Sequence, residues 1–390
     1  MSNEDIEESG APLPPEATSR VPALSAPDFF IHTSPEMDAL ERAAADGKHA
    51  RHYQNLPMEP ARVHQIQGAS HYVRLDLTDA EQMAGAQTEF LENLTDAQDA
   101  DSALAFLYIS RVLAPPSPLA TREFAGGKIE FDDVISKIGW DPRTTAERRE
   151  MHKRLFQFIR FAERAQVIGT RRGKYKDRHT GQIIPTEIRS ALWRIHSTEM
   201  PTQKSLFPEP DIPVAVDLVI SREWTSLLTQ PQTAQYLPMG ELLGAIPGNK
   251  PSGAWARVIG LALASFWRRL PRESLDGSIK PNRRELLERY PPKTGSVMEV
   301  LGSPNPRYVF KYWCGALQLL SDCGFIAPSG EATISPEAMR ATLPRQGWAE
   351  GWLDQLVDLT PGPLLTESMK HRAAALPVPT PPVKKRRNKK

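Results

Sequence analysis

A chain of 390 residues, 40% of them apolar, has material for two or three domains and rules out a wholly disordered protein. No apolar run approaches the ~20 residues of a membrane span, and the acidic, proline-rich start lacks the apolar stretch of a secretory signal, so a cytoplasmic protein with no membrane partner is expected. The formal net charge of +1 excludes a uniformly basic nucleic-acid coat, but residues 1–60 carry eleven acids against four bases and Lys384–Lys390 carries six cations, an asymmetry that points to a polyanion as partner.

Residues 1–70 are rich in Pro, Ser, Glu and Ala with no sustained period, the composition of a disordered acidic segment; only Pro35 to Asp46, with Met37, Leu40 and Ala44 at helical spacing, reads as a short helix. Order is expected from His71. Tyr72 to Leu77 alternates like a strand, and Thr78 with Glu81 forms a capping-box pattern at a helix start. A helix opening at Asp101-Ser102 carries Leu104, Leu107, Tyr108 and Val112 on its apolar face and stops at Pro115-Pro116.

The next stretch reads as a strand (Lys128 to Phe131), a short helix (Asp132 to Ile138), a break at Gly139-Trp140-Asp141-Pro142 and a long helix from Thr144 to Gln166. A β-type run at Val167–Thr170, a basic loop from Arg171 to Arg178 and a returning strand from Gly181 follow. That order is the pattern of a winged helix-turn-helix, a DNA-docking unit. Arg143 to Arg178 holds twelve Lys/Arg against four Asp/Glu, so the excess charge is concentrated on this one unit. Met151, Leu155, Phe158, Ile159 and Ala162 form the inward face of the long helix. Arg143, Thr144, Arg148, Arg149, His152 and Lys153 lie towards its N-terminal half, where a recognition helix meets the groove. Arg171, Arg172, Lys174, Lys176 and Arg178 would hold phosphates from the wing; an ordinary exposed β-edge needs only one or two such charges.

A proline-rich joint at 201–213 reads as a linker. Beyond it the pattern repeats: a buried strand at Val214–Ile220, an amphipathic helix from Trp255 to Leu270, Ser278–Pro281 in the place of the earlier strand, and Asn282–Tyr290 in the place of the short helix. Asn305–Cys323 is again a long helix, with Val309, Tyr312, Trp313, Leu317 and Leu320 inward. Gly324–Ala327 exits into a hairpin at Ser329-Gly330-Glu331, and Trp348–Val357 forms a last helix with Trp352 and Leu356 inward. The second wing is almost uncharged, so its DNA candidates sit on helices: Arg283, Arg284, Arg307, Tyr308 and Lys311. The expected fold class is therefore mainly α with small β wings (α+β), as two tandem winged helix-turn-helix domains, 71–200 and 214–360, followed by a disordered basic tail at 361–390.

Catalytic signatures are absent from the sequence. Gly244 to Lys250 has the wrong spacing for a phosphate-binding loop and an interrupting proline, there is no HExxH, and Cys314 and Cys323 are nine apart with no CxxC. No metal, no cofactor and no enzymatic activity are expected.

The run Ile129-Glu130-Phe131-Asp132-Asp133-Val134 with Arg148 to Arg178, and in the second half Arg283-Arg284-Glu285-Leu286-Leu287 with Asn305-Pro306-Arg307-Tyr308 to Trp313, resembles bacterial plasmid replication initiators of the iteron-binding Rep type. The resemblance covers about residues 72–345 and lies in architecture and texture. It implies binding of origin direct repeats in double-stranded DNA, opening of an adjacent AT-rich segment, and recruitment of a host initiator ATPase and replicative helicase. It also implies a homodimer formed through the first domain that gives way to an active monomer. A transcriptional regulator or partition factor on the same scaffold, an origin-nicking or priming enzyme, and a winged-helix scaffold that binds only protein are the rival readings.

Overall fold

The structure, a computed structural model, describes residues 35–46, 52–113, 125–171, 186–201, 212–221, 224, 240–267 and 279–367, with breaks of up to five residues inside these ranges. Of the tail expected to be disordered over 361–390, residues 368–390 lie outside them, and the expectation is corrected for 361–367, where Pro361 bridges Ile326 and Leu365 is buried. It is an α+β fold whose small antiparallel sheets accompany a predominantly helical core.

Order begins earlier than the composition suggests. Helix α1 (Pro35–Ala45) buries Met37, Leu40, Ala43 and Ala44 almost completely, and the chain continues through β1 (Tyr53–Asn55), β2 (Ala61–His64) and β3 (His71–Asp76). The helix over 35–46 and the strand from Tyr72 were expected; the expectation of disorder over 1–70 is corrected for β1 and β2, whose polar side chains find partners in the folded unit. The Tyr53 hydroxyl donates to the Ala43 carbonyl at 2.7 Å, and His64 Nε2 meets Asp46 at 2.9 Å.

Helices α2 (Thr88–Asp96) and α3 (Ala100–Leu113) come next. Asp99 starts α3 as its cap, with Oδ1 accepting from the N–H groups of Asp101 and Ser102 at 3.0 and 3.1 Å. Then follow β4 (Ala125–Glu130), α4 (Phe131–Lys137), α5 (Thr145–Arg164), β5 (Ala165–Arg171), β6 (Thr186–Ala191), β7 (Trp193–Glu199) and β8 (Ala215–Ile220).

These strands form two sheets, and their pairing changes the reading of two segments. One sheet runs β1-β2-β3-β5-β6, so the strands on either side of the basic run after β5 belong to the sheet that holds the N-terminal strands. The other runs β4-β8-β7, with Ala215 opposite both Glu130 and Glu199. First strand, third strand, second strand is a winged-helix-like order, with β7–β8 in the position of a wing. The strands on either side of residues 201–213, read from sequence as an interdomain linker, pair with each other, and the Val214 N–H donates to the Glu199 carbonyl at 2.9 Å. The strand assigned to the second domain, 215–220, is the centre of the first unit's sheet. Its alternate Val and Leu residues are buried because helices cover one face.

The second unit contains α6 (Gly240–Gly244), α7 (Pro251–Trp267), α8 (Arg283–Arg289), α9 (Val297–Gly302), α10 (Arg307–Asp322), α11 (Gly330–Thr333), α12 (Pro336–Ala341) and α13 (Trp348–Leu353). Single bridges join Ile279 to Leu359 and Ile326 to Pro361, giving the same strand order in miniature. The duplication read from sequence therefore reappears as α3-β4-α4-α5 and α7-Ile279-α8-α10. No hairpin forms at Ser329-Gly330-Glu331; Gly330–Thr333 is a helical turn, and three short helices occupy the place of a wing. Leu356, expected inward, is 66% exposed, because the helix ends at Leu353 and the chain becomes extended beside Asn282.

The two units share one hydrophobic core. Helix α1 packs on α3 and also reaches the second unit: the Tyr290 hydroxyl donates to Glu41 at 2.6 Å, and Arg289 lies 3.5 Å from Asp38.

Candidate nucleic-acid interface

Helix α5 is built to begin abruptly. Gly139, at φ +69°, turns the chain after α4, and Thr144 caps α5 by accepting from the Glu147 N–H at 3.1 Å. The Glu147 carboxylate accepts in return from the backbone N–H groups of Arg143 and Thr144. Leu155, Phe158, Ile159 and Ala162 are buried, as their spacing predicts.

The polar face of α5 sorts the candidate residues by what they already hold. Arg143 is exposed, and its side chain has no charged partner among the described residues. Arg148 grips Asp132 of α4 through Nε at 2.7 Å and through a second guanidinium contact. Arg148 chiefly, then His152, holds the Asp132 carboxyl below the usual carboxylate range, and Asp132 in turn raises Arg148. His152 is buried, edge-on to Phe131 and 2.9 Å from Asp132, so the expected groove contact is corrected: its ring braces α5 against α4. Lys153 is exposed, 3.9 Å from Glu150, and Arg149 is half-buried. Thr144 is exposed, and its hydroxyl is engaged in the cap. Further along, Arg160 and Arg164 bind Glu81, which the sequence pattern had placed in a capping box with Thr78. Thr78 itself lies outside the described residues.

What aims α5 comes partly from the second unit. Arg257 of α7 is fully buried and donates to the carbonyls of Ile246 (3.0 and 2.6 Å) and Gly139 (3.0 Å) and to Asp101 at 2.8 Å. Asp101 also accepts from the Trp140 indole at 3.0 Å, and Arg154 of α5 lies over the Trp140 ring while binding Asp99. Burial, and then the neighbouring Arg257, pushes the Arg154 guanidinium down to about 10. The turn between α4 and α5 is thus clamped from across the unit boundary. A side chain at Gly139 would collide with the Gly244 carbonyl and the Arg257 guanidinium, so the close approach needs glycine.

In the second unit, α10 presents Arg307 and Lys311 one turn apart on an exposed face, with Tyr308 edge-on to Tyr312, which in turn packs on Trp255. Lys311 has no charged partner among the described residues. Arg284 is 2.9 Å from Asp354. Arg283 corrects the sequence reading most sharply. Only 3% exposed, it donates to the Trp352 carbonyl (2.9 Å), Gln355 (2.6 Å) and Glu331 (2.5 Å), between the rings of Trp313 and Trp352. It is a core cation that ties the helical insertion to α8 and α10.

Of the basic run after β5, expected from sequence as a phosphate-holding loop, Arg172, Lys174, Lys176 and Arg178 lie outside the described residues, as does the side chain of Arg171. Sequence reading missed Arg194, His196 and Thr198, exposed on β7 in the wing-like β7–β8 pair, because it took their strand for the end of a domain. It also missed Lys250, exposed and without a charged partner among the described residues, which stands just before α7. No cluster of three or more His, Cys, Asp or Glu suited to a metal ion occurs among the described residues, and no described helix is long and apolar enough to cross a membrane.

No protein-family model matches this chain, and no curated protein matches it. A solved structure of domains 2 and 3 of RctB is similar over 72% of this chain and 85% of that one, with 9% sequence identity and a TM-score of 0.36, a likeness too low to carry fold or function.

Proposed function

We propose that this chain is a sequence-specific double-stranded DNA-binding protein that initiates replication by binding repeats at an origin, without catalysis of its own. One observation carries the DNA reading. Two winged-helix-like units share a core, and each turns a long helix outward with cations at its N-terminal half: Arg143, Arg149 and Lys153 on one, Arg307 and Lys311 on the other. Helices so placed enter a major groove with their first turns, and phosphate contacts set their register. The replication role rests on the resemblance of 129–134, 148–178, 283–287 and 305–313 to plasmid initiators. That resemblance also supplies the partners of the reading, a host initiator ATPase and helicase, and its monomer–dimer exchange.

Selection from a random duplex pool, read against salt concentration, tests the first part: the bound fraction should converge on one sequence, with affinity falling steeply as salt rises. Cloning the coding region with its flanking DNA on a replicon that lacks an origin tests the second. Maintenance supports initiation; convergence on a site without maintenance turns the reading to transcriptional control.

A further inference from the structure

A cleft of about 370 Å³ opens between the two units, beside the start of α5, and its charges are unevenly satisfied. Its acids Asp99 and Asp101 are held by Arg154 and Arg257, as described above. That leaves Arg143, contributed by the first unit, and Lys250, contributed by the second, as lining cations with no charged partner among the described residues, against the single similarly unpaired acid Asp141. Each cation adjoins a candidate recognition helix. Arg143 immediately precedes the cap of α5. Lys250 is two residues from Ser252, which touches α10 so closely that a Cβ on Gly315 would lie 2.7 Å from its hydroxyl.

We infer that this cleft is a phosphodiester-binding site, in which Arg143 and Lys250 hold the stretch of DNA backbone that passes from one unit to the other. The inference rests on the DNA reading above and adds Lys250 to the surface as a residue that neither long helix contains. Because the acids at the base of the cleft are already bound to arginines, an entering phosphate meets net positive charge without displacing an internal ion pair. The clamp of Arg257 on Gly139 keeps the two sides of the cleft at a fixed separation, so the site is formed before DNA arrives.

The test uses the full chain and a fluorescent 30-base-pair duplex titrated at several salt concentrations. Lys250→Gln should flatten the slope of log affinity against log salt by about 0.9 and weaken binding about eight-fold at 0.1 M salt, the effect of one lost phosphate contact. Asp141→Asn should tighten binding. Lys280→Gln, an exposed lysine outside the cleft lining that changes net charge by the same amount, should leave the slope unaltered. An unchanged slope in Lys250→Gln, or an equal loss in Lys280→Gln, overturns the site while leaving the DNA reading intact. Absence of any salt-dependent retention by the unaltered chain overturns the DNA reading itself.

Discussion

Arg257 and Arg143 are both arginines near the α4–α5 turn, and their surroundings predict opposite phenotypes. Arg257 has no exposed surface and four hydrogen bonds, so Arg257→Ala takes the donor from two carbonyls and from Asp101 Oδ1, leaving that carboxylate only the Trp140 indole and the more distant Arg154. Removal of one partner from a buried pair costs about 3–5 kcal/mol, which a urea denaturation midpoint will register. Arg143→Ala should stay within about 0.5 kcal/mol of the parent in the same measurement, as surface changes do, yet weaken duplex binding. His64 supplies a pH signature. Burial depresses its pKa, outweighing Asp46, which favours the proton, while His52 and Arg42 add to the depression. Below about 6.5 the unfolded chain takes up a proton that the folded state resists, so stability is complete above that pH and is lost as pH falls towards the folded pKa. Thermal melts between pH 7.5 and 5 should show the midpoint falling, and His64→Asn should reduce the drop; a parallel fall in both proteins would remove His64 as its source. Sequence alone shows none of these distinctions. It locates an arginine but not the carbonyls around it, which is why Arg283 and His152 were misread as surface contacts, while Leu155, Phe158, Ile159 and Ala162 were read correctly as inward and Met151, read with them, is only half-buried.

Among elements, the helices were legible because capping and periodicity are local, and the wing was not because strand partners are distant. Glu147 sits three residues after Thr144, and Glu285 three after Asn282, so each helix start is written within one turn of chain. Strand β8, by contrast, finds β4 about ninety residues upstream, where no periodicity reaches. The prolines between 201 and 213 looked like a spacer between domains, but the strands before and after them, β7 and β8, pair with each other in one sheet. Two glycines at positive φ separate the causes of strain at turns. Gly324→Ala, at φ +75° with nothing nearby, should lose only the left-handed penalty of about 1–2 kcal/mol. Gly139→Ala, at φ +69° against Gly244 and Arg257, should lose clearly more and should also disturb α5. Equal losses in denaturant melts would mean that the two units can separate at this turn without cost.

At the level of the whole molecule, the shared core, the Arg257 clamp and the double attachment of α1 argue against two beads on a string. Scanning calorimetry should show one cooperative transition, and a chain shortened to begin after α1 should unfold at a lower temperature in both halves; two separate transitions in the full chain would contradict the common core. A rigid pair also implies a fixed spacing between the sequences each unit reads, so selected sites should share one separation. The attachment of α1 carries a consequence for how the protein is made. Glu41 and Tyr290 are 249 positions apart. At about 5–20 residues per second of synthesis, a ribosome needs roughly 12–50 s to extend the chain from the first to the second. During that interval the leading helix has emerged while its far anchor is still untranslated. Nascent chains arrested short of Tyr290 should therefore be cut by protease within 35–45, and chains released past the second unit should resist.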